Sequence, residues 1–259
     1  MNESIRILAI GDVVGRAGRQ VLTAKLQGLI DLYRIDAVIV NGENAAGGRS
    51  ISGEIMREMF SQGVNVITTG NHIWDNRDIG AELSQEPALL RPANYPPGLP
   101  GRGYGIYHIK GFSVCVINLQ GRVSMEPLDC PFRAFDEIYE EVKDESGIII
   151  VDFHAEATSE KRAFGWYTNG RASAVFGTHT HVQTSDEEIL DGGTGYITDI
   201  GMTGAFDSVI GFKKEDSIKK FLTQTRIRYE VATGNSKLNG IVLDILQNGK
   251  TRDIQRIIV

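Results

Sequence analysis

The sequence feature that most limits the fold is a short apolar run that recurs along the chain. Each run ends in Gly, Asn, Asp or His: RILAIGD, AVIVNGEN, VNVITTGNH, SVCVINLQG, GIIIVDFHAE, AVFGTHTHV and GYITDIGM. Runs of this length and composition are typical of buried β-strands that lead into functional loops. Helix-like segments at residues 19–33 and 53–62 separate the early runs. The N-terminal half is therefore predicted to alternate strand and helix, as parallel α/β units do.

The later runs lie closer together, which predicts a second, more antiparallel sheet packed on the first. We expect this second sheet to close with a hairpin around Asn248-Gly249, because Asn-Gly favours a tight turn. Residues 91–105 contain four of the seven prolines and should form an irregular surface loop. Candidate residues of one chemical site occur on both sides of that loop, so we expect a single domain over residues 1–259.

Charge and cysteine content exclude several classes of protein. The net charge of −6 argues against a surface that holds long nucleic acid by neutralising its phosphates. The two cysteines are too few for a secreted disulfide framework, and Cys115 lies in an apolar run that predicts a core position. No apolar segment approaches the roughly 18 residues that span a bilayer. We therefore expect a cytoplasmic protein with no membrane partner.

Polar side chains stand where the predicted strands end, and this arrangement points to chemistry. Strand ends in an open α/β sheet share one edge, where ligands usually bind. Alone, each residue has a structural explanation, since Asp or Asn beside Gly is common in turns and a lone His is often hydrogen-bonded in a core. As an ordered set these residues favour a metal site: Asp12, Glu43, Asn44, Asn71, His72, His154, His179 and His181.

The His179-Thr180-His181 motif strengthens this interpretation, because two histidines spaced in this way can reach neighbouring metal ions. Carboxylates can bridge two cations, and mixed oxygen and imidazole ligands suit Fe, Mn or Zn. The glycines of GDVVGRAG offer a rival interpretation as a loop that binds a nucleotide pyrophosphate. Their GxxxGxxG spacing matches neither the dinucleotide pattern nor the Walker pattern, and it leaves the histidines unexplained.

The ordered motifs GD, GEN, GNH, H and HTH resemble the calcineurin-like metallophosphoesterase superfamily. That superfamily usually begins with DxH, whereas this chain has Val14 at the third position, and it usually has GDxxD or GDN where this chain has GEN. The strings IGDVVGRAGR, NGENAAGG, TGNHIWD, VDFHAEATSEK and VFGTHTHVQTSD resemble the YmdB-like branch, in which Glu replaces Asp and the neighbouring Asn supplies the missing ligand. Asn169 departs from that branch, where Asp is expected.

The resemblance implies an α/β fold, a four-layer sandwich of two mixed β-sheets flanked by helices, that holds two metal ions. Iron is the metal that the branch implies, with Mn or Zn as alternatives. His72 is left free to act as proton donor. The implied ligands of the first metal are Asp12, Glu43, Asn44 and His181, and those of the second are the bridging Glu43, Asn71, His154 and His179.

The implied activity is hydrolysis of 2′,3′-cyclic nucleotides or related short phosphodiesters by a hydroxide that two metal ions activate. Two alternatives stay open: the same site could act on a phosphomonoester or another diester, or it could serve as a slow regulatory module that binds nucleotide or RNA. The small phosphodiester is the expected partner. RNA ends, RNA-processing proteins and a second copy of the chain are further candidates.

Overall fold

The computed structural model describes residues 3–259, which contain two large β-sheets and a small one. The strands are β1 (Ser4–Ile10), β2 (Asp12–Val13), β3 (Ala37–Asn41), β4 (Val66–Thr68), β5 (Tyr104–Ile109), β6 (Phe112–Gln120), β7 (Ile148–His154), β8 (Ala174–Thr178), β9 (Glu188–Ile189), β10 (Gly195–Ile197), β11 (Met202–Ala205), β12 (Ser236–Lys237), β13 (Asn239–Leu246) and β14 (Thr251–Ile258). The helices are α1 (Gly15–Tyr33), α2 (Gly53–Ser61), α3 (Ile79–Gln85), α4 (Pro131–Val142), α5 (Thr158–Thr168) and α6 (Lys214–Thr223).

Both large sheets combine parallel and antiparallel pairs. The first has the order β14-β13-β1-β3-β4, with β1, β3 and β4 parallel and β13 antiparallel to both β1 and β14. The second has the order β5-β6-β7-β8-β10-β9, with a parallel centre and antiparallel pairs at its two edges. The small sheet joins β12, β11 and β2.

The expectation of a more antiparallel second sheet is wrong. Strands β6, β7 and β8 are parallel because α4 and α5 connect them, and parallel neighbours need such a crossover. The hairpin around Asn248-Gly249 is confirmed, but its strands β13 and β14 extend the first sheet beside β1. The last part of the chain thus returns to its beginning instead of completing the second sheet.

The side chains of the two sheets alternate between two packing surfaces, as the pleat of a strand requires. Ile7 packs in the core between the sheets with Val116 and Ile150 of the second sheet. Its neighbour Leu8 packs on the opposite face with Leu22 of α1. Helices α1 and α2 cover the outer face of the first sheet, and α4 and α5 cover that of the second. The predicted four-layer sandwich is confirmed.

Cys115 lies in the outer core of the second sheet with Phe135 of α4 and Phe164 of α5, so its predicted core position is confirmed. Helix α1 begins at Gly15, four residues before the predicted start. Its first turn is held close to β11, where a Cβ on Gly18 would lie 2.3 Å from the carbonyl oxygen of Thr203. This tertiary packing extends the helix into a glycine-rich stretch that resembles a loop in the sequence.

The predicted loop at residues 91–105 is irregular over most of its length, but its last two residues already belong to β5. A parallel bridge between Leu90 and Arg102 fixes its ends. Within residues 3–259, no helix combines the length and apolar character needed to cross a membrane.

Candidate metal centre

The eight predicted site residues come together at one edge of the sandwich, although they belong to both sheets. Asp12 follows β1, and the GEN and GNH motifs follow β3 and β4 of the first sheet. His154 ends β7 and the HTH motif follows β8 of the second sheet. All of these strands are parallel to one another within their sheets, so their carboxyl ends open in the same direction. The seam between the sheets thus carries the site.

Three side chains converge on the Nε2 atom of His154. This atom lies 3.0 Å from Oε1 of Glu43, 3.0 Å from Oδ1 of Asn71 and 3.0 Å from Nδ1 of His179. Glu43, His154 and His179 can place one ligand atom each within 4.8 Å of one another, which is close enough to share an ion. A single ring hydrogen cannot serve three acceptors, so the arrangement fits a cation better than a hydrogen bond.

The hydrogen bonds on the outer side of the His154 and His179 rings determine which ring nitrogens face the cluster. Thr178 donates its only hydroxyl hydrogen to Oδ1 of Asp152 at 2.7 Å, so it accepts the Nδ1–H of His154 at 2.9 Å. His179 places Nε2 3.2 Å from Oε2 of Glu156, which leaves its Nδ1 facing the cluster. In the neutral rings both inward nitrogens therefore carry lone pairs. Outer partners of this kind are typical of metal-binding histidines.

A second group of acceptors surrounds His181. Its Nδ1–H donates to the carbonyl oxygen of Ile210 at 2.8 Å, so the neutral ring presents the Nε2 lone pair on its other side. That atom lies 3.2 Å from Oδ1 of Asn44, whose amide orientation is fixed by its donation to the carbonyl oxygen of Gly48 at 3.0 Å. Two acceptors that face each other are unfavourable unless a cation or a proton lies between them.

Asp12 contributes an unpartnered oxygen to the same group. Its Oδ2 accepts the backbone N–H of His179 at 3.2 Å, but its Oδ1 is buried and has no hydrogen-bond partner among the residues described. Burial raises the pKa of Asp12 to about 7, although the nearby His181 and His154 oppose that shift. A buried carboxylate oxygen without a donor is costly unless a cation binds it.

Electrostatics in the cluster also call for positive charge. Burial alone would raise the pKa of Glu43, but the adjacent His154 lowers it to about 2. Burial alone would lower the pKa of His154, but Glu43 and the other buried carboxylates raise it to about 9. Burial and the neighbouring His154 lower the pKa of His179 to about 3, so this ring is neutral. A proton on His154 supplies the positive charge that a bound metal ion would otherwise provide.

The HTH loop is held in a strained conformation. The backbone φ angles of His179 and His181 are +94° and +66°, a region that L-residues rarely adopt. The buried Lys161 donates to the carbonyl oxygen of Thr178 at 2.7 Å and to Oδ2 of Asp199 at 2.6 Å. The hydroxyl of Thr180 donates to the same Asp199 oxygen at 2.7 Å. This network stabilises the loop conformation that aims both imidazoles inward.

Sequence reasoning missed Lys161 and Asp199 as parts of the site. Asp199 lies in GYITDIGM, one of the runs that end in polar residues, so its position after a strand was a usable signal. Lys161 lies in the helix α5 and nothing in its local sequence distinguishes it from a surface lysine. Only the fold brings its ammonium group under the loop.

His72 lies beside the cluster but outside the two groups of acceptors. Its backbone N–H donates to Oε2 of Glu43 at 3.2 Å, and its Nδ1 lies 3.0 Å from Oδ2 of Asp75. The side chain is 28% exposed and lines a cavity of about 400 Å³ that His179 and His181 also line. The imidazole of His72 is thus open to a ligand in this cavity while Asp75 holds its other nitrogen.

Comparison with known proteins finds relatives over nearly the whole chain. The family model for YmdB-like protein matches residues 8–257. A relative from Bacillus subtilis, a 2′,3′-cyclic-nucleotide 2′-phosphodiesterase, is 48% identical over 256 residues, which cover 98% of this chain and 97% of the relative.

Two crystal structures share the whole fold. A novel phosphatase from Mycoplasma pneumoniae is 35% identical with a TM-score of 0.94, over 100% of this chain and 94% of that one. A hypothetical protein from Thermus thermophilus is 40% identical with a TM-score of 0.93, over 98% and 99% of the two chains.

Proposed function

The chain belongs to the YmdB-like family of phosphoesterases, and on that basis we propose that it is a metal-dependent phosphodiesterase that hydrolyses 2′,3′-cyclic nucleotides. The relative from Bacillus subtilis supports this substrate class by its named activity. The observation that carries the proposal is the convergence of Glu43, Asn71 and His179 on the Nε2 atom of His154. Three acceptors that face one ring nitrogen fit a bound cation better than a single shared proton.

Two cations fit the donor set. The first would be held by Asp12, Glu43, Asn44 and His181, and the second by Glu43, Asn71, His154 and His179. Ions bound there would supply Lewis-acid stabilisation of phosphoryl oxygens and make a water molecule acidic enough to attack phosphorus. The mixture of carboxylate, amide and imidazole donors suits iron, manganese or zinc, and the family resemblance favours iron.

The residues of the chain orient the substrate and move a proton. In hydrolysis of the cyclic diester, a water oxygen forms a bond to phosphorus and the bond between phosphorus and the 2′ oxygen breaks. The acid is the protonated ring of His72, in which Nδ1–H donates to Asp75 and Nε2–H faces the cavity. We propose that this hydrogen is transferred to the departing 2′ oxygen, because His72 lines the cavity. A general acid positioned in this way typically raises the reaction rate by about 100 to 10,000-fold. The product is a nucleoside 3′-phosphate.

The experiment that tests the proposal follows the fate of 2′,3′-cyclic AMP with enzyme reconstituted separately with Fe(II), Mn(II) or Zn(II). We expect adenosine 3′-monophosphate as the product, slow or no turnover of 3′,5′-cyclic AMP, and loss of activity after treatment with a chelator. Failure to consume 2′,3′-cyclic AMP with all three metals would overturn the proposal.

A second candidate function is phosphomonoester hydrolysis at the same site, which the similarity to the Mycoplasma pneumoniae phosphatase favours. Nitrophenyl phosphate and bis-nitrophenyl phosphate separate the two activities. A phosphodiesterase releases nitrophenol faster from the bis-ester, whereas a phosphomonoesterase prefers the monoester. Tight nucleotide binding without turnover of any of these compounds would instead favour the regulatory binding module.

A further inference from the structure

Two chemically different groups of side chains line the cavity beside the candidate metal centre. One group is polar, and we call it the polar side; it includes Glu43, His72 and His181. The other group is apolar and aromatic, and we call it the apolar wall: Val209, Ile210, Phe212, Phe221 and Tyr229. Phosphodiester chemistry uses the polar side only, so the apolar wall needs a separate explanation.

The wall begins at a strained turn that is hydrogen-bonded to His181, a proposed metal ligand. Val209 and Phe212 exchange both backbone hydrogen bonds, at 2.9 and 3.0 Å, which makes Ile210 and Gly211 the two central residues of a hairpin turn. Both have positive φ, +46° and +95°. Asn-Gly is the usual choice for such a turn, and a β-branched residue there is strained.

Ile210 contributes both its backbone and its side chain to the site. The carbonyl oxygen of Ile210 accepts the hydrogen bond from Nδ1 of His181 at 2.8 Å, while its side chain, 47% exposed, lines the cavity. Asn could supply the same carbonyl oxygen at a lower conformational cost. The strain therefore indicates that an apolar side chain is needed at this point, next to a proposed ligand of the first metal.

The aromatic members of the wall are unusually open to solvent. The side chain of Phe221 in α6 is 74% exposed, and Tyr229 is 38% exposed. Tyr229 is supported by Phe212, with ring centroids 5.5 Å apart and an angle of 53° between the ring planes. Exposed apolar and aromatic surface that faces a polar reaction site is typical of a site for a flat organic group.

We propose that the apolar wall binds the nucleobase of the substrate while the polar side takes the cyclic phosphate. This inference rests on the proposed function and deepens it, because it identifies what distinguishes a nucleotide from any other cyclic phosphodiester. Aromatic side chains stack on every base through its π face, so the wall favours nucleotides without strict base preference. A free cyclic nucleotide and the terminal nucleotide of an RNA with a 2′,3′-cyclic phosphate present the same chemistry.

The test compares kcat/KM for 2′,3′-cyclic AMP with kcat/KM for glycerol 1,2-cyclic phosphate, which has the same five-membered ring but no base. We expect Phe221→Ala and Tyr229→Ala each to lower the ratio of the two values by about fivefold to a hundredfold, mainly through KM for the nucleotide. Leu222→Ala is the matched control, because Leu222 is 80% exposed on the same helix and does not line the cavity. Its ratio should equal that of wild type.

The outcomes separate this inference from the proposed function. A wild-type enzyme that hydrolyses neither compound would overturn both the proposed function and the nucleobase assignment. A wild-type enzyme that hydrolyses both, with an unchanged ratio in Phe221→Ala and Tyr229→Ala, would overturn the nucleobase assignment alone. An oligonucleotide that ends in a 2′,3′-cyclic phosphate should show the same fold decrease as the mononucleotide. A decrease with the oligonucleotide alone would also overturn the assignment.

Ile210→Asn gives a second measurement that does not depend on the exposed aromatic residues. Asn relieves the positive φ and keeps the backbone carbonyl that holds His181. We therefore expect a free energy of unfolding at least as high as that of wild type, together with a lower ratio of nucleotide to glycerol substrate. A stabilised variant with the wild-type ratio would contradict a role for this side chain in base binding.

Discussion

The ammonium group of Lys161 lies 2.6 Å from Oδ2 of Asp199 in the interior, where both side chains are almost completely buried. Around this pair are the carbonyl oxygen of Thr178 and the hydroxyl of Thr180, the residues that precede the two histidines of the HTH loop. The ion pair therefore supports the segment that carries two proposed metal ligands. Its contribution is to position His179 and His181, since Lys161 itself is not among the residues that line the cavity.

Lys161→Met tests this support. The variant leaves the charge of Asp199 buried without its partner, so we expect the free energy of unfolding to fall by about 3–5 kcal/mol in urea titrations. The double variant with Asp199→Asn should recover part of that loss. Lys143→Met, which removes an exposed partner of Glu140, is the control and should leave stability nearly unchanged. Wild-type stability in Lys161→Met would refute the role of the pair.

Gly70→Ala should abolish metal binding with little change elsewhere. A Cβ at Gly70 would lie 2.2 Å from Oε2 of Glu43 and 2.3 Å from the Nε2 of His154, so these side chains must move apart. Gly28→Ala in α1 is the matched control, because nothing lies within 4 Å of its added Cβ. That change should stabilise the helix by roughly 0.5–1 kcal/mol. Full metal content in Gly70→Ala, by elemental analysis, would contradict the close packing of Gly70 against Glu43 and His154.

His72→Ala should separate turnover from metal content. We expect kcat for 2′,3′-cyclic AMP to fall by about 100 to 10,000-fold while the metals are retained. Asp75→Asn should have a smaller effect, because it weakens only the hydrogen bond that orients the ring. An unchanged turnover number in His72→Ala would rule out its role as proton donor.

Thr178→Val removes the acceptor that holds Nδ1–H of His154 without touching a proposed ligand atom. Because such partners fix the tautomer of a metal-binding histidine, metal affinity should fall by about 10 to 100-fold. Competition with a chromogenic chelator measures the change. Thr23→Val in α1 is the comparison and should bind metal as wild type does, because its exposed hydroxyl bonds only Arg19 and Gln62, which are not proposed site residues.

The two cysteines should differ sharply in reactivity. Burial raises the pKa of the Cys115 thiol to about 12, so it stays protonated and inert throughout the neutral and mildly alkaline range. Cys130 is only partly buried, and its sulfur lies 3.3 Å from the guanidinium of Arg122. A thiol reagent at pH 8 should therefore modify about one equivalent in the native protein and about two after unfolding. Rapid reaction of both thiols in the native state would contradict the packing of the second sheet.

Much of the site could be predicted from the sequence because its residues follow recognisable strands. Asp12 and Asn71 each follow an apolar run, and parallel strands bring such positions to one edge regardless of the intervening chain. The four-layer sandwich was implied by the family resemblance, and its two packed sheets followed from the same runs. The direction of the later strands did not, because no helix was predicted between β6 and β8, and the helices there set the parallel order.

The features that sequence could not supply depend on long-range contacts. The positive φ angles at His179 and Ile210 contradict local preference and persist only because distant groups hold them. Lys161 acquires its role from Asp199, which lies 38 residues further along the chain. Such positions are where local rules fail at functional sites.

The converging acceptors are proposed to bind a pair of metal ions, and elemental analysis of protein purified under reducing, low-oxygen conditions tests this binding most directly. We expect about two ions per chain in wild type, about two in His108→Ala, whose ring lies outside the site, and one fewer in His154→Ala. Wild-type protein without bound metal after reconstitution, or His154→Ala with both ions retained, would contradict the account.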